Sequence, residues 1–404
     1  MKYTAHGAST QSRATRPGRK IETSWCSGSR EYLADMRSIL SWPLGQHGAL
    51  LGYPSIYNPH TRELVEKLTG YMNRGIASCG SFVSECEEQL AEMLVGRYSR
   101  YMTSYPKVRF AQNGTDVTQA AVALARYATG RERIVSIGYH GGSSPTFNFP
   151  PQNRGTLEAN YDAVDEVAFD DFPNWAKGKT LWGYAAVIVE VPPVRNEILA
   201  LATLHDISTL CRRCGCKFIV DDVVTGFRYH PSGVLGYYNQ NPRIIVADFI
   251  CLGKALSTYG KVSALLGPAD IMDSLADRVF MSYTYSDHPF GLLDAIETLK
   301  IYDQLDGELY THIGDIGISL MDGLNRVFRR RGFECEVYGH PSRTTIESRM
   351  KPELYWEFLS RLVDEQDVLI HRPQFSTMAH TDEDVTRTVE AVDKTLAGMR
   401  FELQ

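Results

Sequence analysis

Two apolar runs that end in charge constrain this chain more than any other feature. KFIVDD (217–222) closes on Asp221 and Asp222, and ADFICLGK (247–254) closes on Lys254. Solid apolar runs of this length read as strands buried on both faces. They belong to a longer alternation. KVRFAQNGTDVTQAAVALARYATGR (107–131) reads as strand, turn and helix, ERIVSIGYHG (132–141) as a strand, YAAVIVEVPP (184–193) as a buried strand stopped by prolines, and LHDISTLCRRCG (204–215) as a helix. Alternating strands and helices predict an α/β fold, a mainly parallel sheet with helices on both faces.

The remaining segments divide the chain. Residues 1–30 are polar and without periodicity and read as an arm, within an N-terminal segment 1–60. TRELVEKLTGYMNRG (61–75) and SECEEQLAEMLVGRY (84–98) have helical spacing, and Ser84 with Glu87 has the spacing of a capping box. The large α/β domain is expected over 61–290. After Pro289 the texture changes to two long helical patterns, GLLDAIETLKIYDQL and IGDIGISLMDGLNRVFRRR. Short strand candidates FECEVYG, SRTTIES and QDVLIHRP follow, and then a closing helix, EDVTRTVEAVDKTLAGM. This predicts a smaller α+β domain over 291–404.

Net charge is −6, which gives no global attraction for nucleic acid. Arg13, Arg16, Arg19 and Lys20, and later Arg329, Arg330 and Arg331, read as a solvated tail and a helix end. No apolar run reaches 18 residues, and no signal-type segment follows the early basic residues, so a cytoplasmic, membrane-free protein is expected. Cys211, Cys214 and Cys216 lack the second ligand pair a zinc site needs, so no metal is expected.

In an open parallel sheet, ligands bind beyond the carboxyl ends of the strands. Asn113-Gly114-Thr115, Tyr139-His140, Glu190, Asp221 and Lys254 all fall at such ends. Gly114-Thr115 opens a helix whose first amides are unpaired, a seat for phosphate. A lysine at an apolar strand end can be desolvated to the neutral amine that attacks carbonyl carbon. A carboxylate buried beside it needs a partner, and a pyridinium nitrogen would serve. Tyr139 offers a flat face for a ring and His140 a donor. Taken singly, these residues read more often as a turn, a snorkelling lysine, a capping aspartate and packing. Together they match the four needs of pyridoxal 5'-phosphate.

These motifs resemble those of the class III aminotransferases of fold type I, and most of all the glutamate-1-semialdehyde aminomutase branch, over roughly residues 40–400. VRFAQNGTDVTQAAVALARYATGR resembles the family's phosphate-binding strand–turn–helix, with Asn113 where serine is usual. IGYHGG resembles its Tyr-His-Gly, which implies ring stacking by Tyr139. AAVIVEVPP resembles the strand whose glutamate, here Glu190, lies near the site. FIVDDVVTGFR is similar to the Asp-Glu-Val-x-Thr-Gly-Phe-Arg motif and implies the pyridine-nitrogen role for Asp221. LGKALS matches the Schiff-base lysine, Lys254. TYSDHP (284–289) resembles Thr-x-Ser-Gly-Asn-Pro, which implies that Thr284 reaches the phosphate of a neighbouring subunit's cofactor in a homodimer. Trp42 lies in the segment that lines the family's substrate side and is a candidate substrate contact.

Four departures stand out. Asp222 replaces a glutamate, Gly142 replaces a second histidine, and ALSTYGKVSALLG (255–267) replaces a glycine-rich loop after the lysine. The N-terminal arm also lacks the glycine- and arginine-bearing opening of an aminomutase. The resemblance implies amino transfer or mutation on a small amine or amino-acid substrate. Decarboxylation, also on a larger amino-acid-bearing substrate such as a modified nucleotide or nucleic acid, is the alternative. A fold that binds without turnover is the reading of another class.

Overall fold

The computed structural model describes residues 22–44, 49–75, 84–142, 157–240, 244–371 and 373–399. Its strands are β1 (Thr23–Ser27), β2 (Arg30–Leu33), β3 (Ser38–Ser41), β4 (Pro106–Ala111), β5 (Arg133–Ile137), β6 (Val164–Glu166), β7 (Tyr184–Val189), β8 (Lys217–Asp221), β9 (Phe249–Leu252), β10 (Ser263–Pro268), β11 (Cys335–His340), β12 (Arg343–Ser348) and β13 (Val368–Leu369). The chain forms two compact units. One comprises His47–Leu50 and Arg62–His312, the other Met1–Gln46, Leu51–Thr61 and Ile313–Gln404.

The first unit is built on a seven-stranded sheet of order β4-β10-β9-β8-β7-β5-β6. β6, β5, β7, β8 and β9 run parallel, while β10 is antiparallel to both β9 and β4. β4 therefore points the same way as the parallel set, and six strands present their carboxyl ends at one edge. β9 and β10 are buried at every residue, as sheets covered on both faces require. The helix Gly114–Thr129 packs small side chains, Ala120, Ala121 and Ala125, into the core cluster that includes Ile188, Ile219, Phe249 and Leu265. Helix ends follow local chemistry. Ser84 and Glu87 form the expected capping box. Asn196 accepts from the amides of Ile198 and Leu199, and Gly215 closes that helix at φ 60°. Cys211, Cys214 and Cys216 are buried where this helix feeds β8.

One expectation fails here. ALSTYGKVSALLG reads as a loop, yet its second half is β10, bonded on both sides between the edge strand β4 and β9. Its apolar SALLGP is too short to show periodicity, and its partner β4 lies some 150 residues earlier in the sequence.

In the second unit, β1-β2-β3-β13 form a sheet and β11-β12 a hairpin. Residues 1–21, with the early basic cluster, lie outside the described residues. The rest of the expected arm is β1 and the start of β2, held by a cross-strand pair in which the Trp25 and Tyr32 rings stack 3.7 Å apart. Polar β1 (TSWCS) carries no alternation to announce this. The core gathers Phe328, Phe333, Phe358 and Leu362 around the hairpin. The two helical patterns after Pro289 are two helices within Pro289–Arg331, the first running into a kink at Asp306 (φ 41°, ψ −127°) and the second ending at Arg331. At its end Arg330 and Arg331 grip Asp393, and their guanidinium groups hold that carboxyl down to about 2. Among the described residues, no helix is long and apolar enough to cross a membrane, and no group of three or more His, Cys, Asp or Glu side chains could hold a metal ion.

Candidate active site

The strand-end residues of the first unit converge. Asn113 opens the helix after β4, and its backbone and side-chain nitrogens both donate to Asp116 Oδ2, at 3.2 and 3.1 Å. This fixes the turn that aims the amides of Gly114 and Thr115 outward. A Cβ on Gly114 would lie 2.8 Å from Val223 Cγ1, and one on Gly253 would lie 3.3 Å from the same atom. Val223 is thus the wedge between three motifs: the turn after β4, the acid pair after β8 and the lysine after β9.

The loop after β5 closes on the same place. Thr118 Oγ1 donates to His140 O at 2.8 Å, and a side chain on Gly141 (φ 99°) would overlap Thr115. Gly138 (φ 102°) lies so close to Glu190 that a Cβ would be 2.9 Å from its Cβ. Glu190, buried at the end of β7, accepts from Tyr139 N at 3.3 Å. The Tyr139 ring is 56% exposed, and burial, with Glu190 nearby, raises its phenol.

Asp221 is 3% exposed and doubly held. Its Oδ2 pairs with His140 Nδ1 at 2.7 Å, and its Oδ1 accepts from Val223 N at 3.2 Å. Two of about four acceptor positions are used, which leaves capacity for another donor. His140 Nε2 is buried and has no hydrogen-bond partner among the described residues. Sequence reasoning gave His140 a donor role but not this recipient, because β7 lies between β5 and β8 and no local pattern encodes a contact across it.

Lys254 follows β9, three residues past Cys251, the parallel partner of Asp221. It is half-buried with φ 45°, a left-handed conformation that a side chain adopts only under constraint. Asp222, next to Asp221, faces away into structure. It is fully buried and accepts from Thr225 Oγ1 at 2.6 Å and from Val234 N. Burial pushes its carboxyl up to about 7 against those bonds.

Two residues stand apart. Thr284 is exposed in a turn beside Tyr283, whose phenol is raised by burial and by Asp116. Trp42 lies in the other unit with no exposure, donating from Nε1 to Thr388 Oγ1 at 2.9 Å and stacked on His380 at 4.0 Å. It packs as a core side chain, and its candidacy as a substrate contact rests on the resemblance alone.

The residues fit pyridoxal phosphate. An outward-facing helix start, an exposed ring, a buried carboxylate with spare acceptor capacity and a constrained lysine share one sheet edge. Such an edge defines a cofactor-dependent enzyme of the open α/β type. Comparison with known proteins sharpens this. Residues 178–369 match the family model described as aminotransferase class-III. Glutamate-1-semialdehyde 2,1-aminomutase 1 of Staphylococcus carnosus (strain TM300) is 30% identical over 91% of this chain and 89% of its own length. Among solved structures, the FumI protein of Sphingopyxis sp. MTA144, in its PLP internal aldimine form, has a TM-score of 0.77 at 25% identity, covering 93% of this chain and 88% of that one. An omega-transaminase from Sphaerobacter thermophilus has a TM-score of 0.78 at 20% identity, covering 96% and 93%. The chain belongs to the class III aminotransferases, enzymes of fold type I whose cofactor is pyridoxal 5'-phosphate.

Proposed function

We propose that this enzyme transfers or moves an amino group on an amino-acid-like substrate, with its cofactor held along the strand ends. Lys254 would hold the cofactor's aldehyde carbon, Asp221 the ring nitrogen, Tyr139 the ring face, and the Asn113-Gly114-Thr115 turn the phosphate, with Glu190 and His140 fixing this frame. The observation that carries this reading is Asp221: a carboxylate buried at a strand end, oriented by His140 at 2.7 Å, with Lys254 on the adjacent strand.

Bound there, the cofactor supplies an electron sink for the bond broken at the substrate's amine-bearing carbon. The protein does the rest. His140 and the Val223 amide keep Asp221 aimed at one point. The Lys254 amine would take and return the proton at the substrate's amine-bearing carbon. Thr284 completes the phosphate seat of a neighbouring subunit. Phe280 and Tyr285, 88% and 57% exposed in the same segment, offer apolar area that a second copy would cover.

A single-turnover experiment tests this reading. Holoenzyme meets a panel of amines and amino acids with no second substrate, and cofactor and substrate are weighed by mass spectrometry. Conversion of the cofactor to its pyridoxamine form establishes amino transfer. An isomer separated by chromatography, whose fragmentation places the amino group on a different carbon, establishes mutation. An unchanged cofactor with a substrate lighter by carbon dioxide refutes both in favour of decarboxylation.

A further inference from the structure

The segment after Lys254 is tied to one face of the helix that starts at Pro289 and runs to the kink at Asp306. Asp294, Thr298 and Tyr302 recur at every fourth residue and point one way. Asp294 is fully buried and accepts from Tyr259 N at 2.8 Å, Thr258 N at 3.2 Å and Thr298 Oγ1 at 3.2 Å. Thr298 Oγ1 also accepts from Thr258 N at 3.1 Å and lies 2.8 Å from Thr258 Oγ1. Tyr302 donates from its hydroxyl to Ala255 O at 3.0 Å. The turn closes on itself as well, since Leu256 N donates to Gly253 O and Ser257 N to Lys254 O.

A carboxylate set among buried Leu292, Ala295, Ile296 and Leu299 is expensive unless something needs it. Burial pushes the Asp294 carboxyl up to about 7 even though the hydrogen bonds from Tyr259, Thr258, Thr298 and Ser257 favour its charged form. The need is visible next door. Lys254 has φ 45°, and left-handed backbone at a non-glycine residue is strained and persists only where neighbours over-determine it. The bonds from Asp294, Thr298 and Tyr302 supply that constraint within five residues of Lys254.

We propose that Asp294, Thr298 and Tyr302 form a polar clamp on the turn after Lys254, and that Asp294 is a positioning residue for the Lys254 amine. The clamp rests on the reading of Lys254 as the cofactor-bearing residue. It also gives the non-glycine sequence after Lys254 a purpose: Ser257, Thr258 and Tyr259 present backbone and side-chain groups to a fixed helix face.

The test separates positioning from pocket integrity. Pyridoxine 5'-phosphate has the ring and phosphate but no aldehyde, so its affinity reports the pocket alone. Covalent attachment of pyridoxal 5'-phosphate to apoenzyme, followed by absorbance and mapped after borohydride reduction by mass spectrometry, reports the amine. In Asp294→Asn, attachment slows about tenfold, the equivalent of one charged hydrogen bond, and affinity for pyridoxine 5'-phosphate stays at the parent value. Hydrogen exchange at the Thr258 and Tyr259 amides quickens by a similar factor. Attachment at the parent rate overturns the proposal, as does an equal loss for both ligands. Tyr302→Phe removes only one oxygen and decides the matter should Asp294→Asn fail to fold. It is expected to slow attachment with unchanged pyridoxine 5'-phosphate affinity, and a parent rate overturns the clamp. A parent chain whose reduced cofactor maps to another lysine overturns the reading of Lys254 itself, a result distinct from the others.

Discussion

Gly114→Ala tests whether the phosphate turn, the acid pair and the lysine strand are one packed unit. By local rules the change is favourable, because alanine exceeds glycine in helix propensity by up to about 1 kcal/mol. The tertiary setting opposes it. The new Cβ would lie 2.8 Å from Val223 Cγ1 and 3.1 Å from Cγ2. Overpacking of this kind costs about 1–3 kcal/mol, so the net effect is a loss of about 0–2 kcal/mol. The same displacement drags the amide of Val223 away from Asp221 and weakens cofactor binding. Adding Val223→Ala removes the colliding methyls. Urea melts of the two single variants and the double variant, with cofactor titrations of each, form a mutant cycle. The steric account requires a favourable coupling of at least about 1 kcal/mol in stability and recovery of affinity in the double variant. Additive effects, within about 0.5 kcal/mol, would refute the wedge.

Three further outcomes follow from the same geometry. Lys254→Ala abolishes borohydride-stable cofactor attachment while leaving the fold intact by circular dichroism; retained attachment at another lysine would contradict the role of Lys254. Asp222 binds its proton more tightly folded than unfolded, its carboxyl being pushed up to about 7, so its contribution to stability falls as pH rises from about 4 to about 7, by up to about 1.4 kcal/mol per pH unit. Thermal melts of Asp222→Asn should therefore lose less stability than the parent between pH 5 and pH 8, and parallel profiles would count against this account. Gly317→Ala places a Cβ on the backbone carbonyl of Pro341, an atom that cannot turn aside, and should cost about 3 kcal/mol in urea denaturation.

Much of the site was legible because its chemistry sits at strand ends, and strand ends are local events. An apolar run that stops at Asp221, and another that stops before Lys254, state both the strands and the polar groups they deliver. The capping box at Ser84 and Glu87 was legible for the same reason. The pairing of His140 with Asp221 was not, since the residues are 81 positions apart and meet across an intervening strand. Asp294 was hidden in an apolar helical stripe, where sequence offers a carboxylate but not the turn it grips.

By itself the sequence determined the succession of elements, the edge of the sheet at which polar residues gather, and the family of chemistry they serve. Periodicity and caps act over a few residues, so they survive in one dimension. Only the tertiary structure decided that β10 runs against its neighbours between β4 and β9, that β3 takes β13 as a parallel partner, and that Val223 wedges three motifs together. Those choices are made by backbone hydrogen bonds and close packing between segments far apart in the chain, and no local pattern carries them.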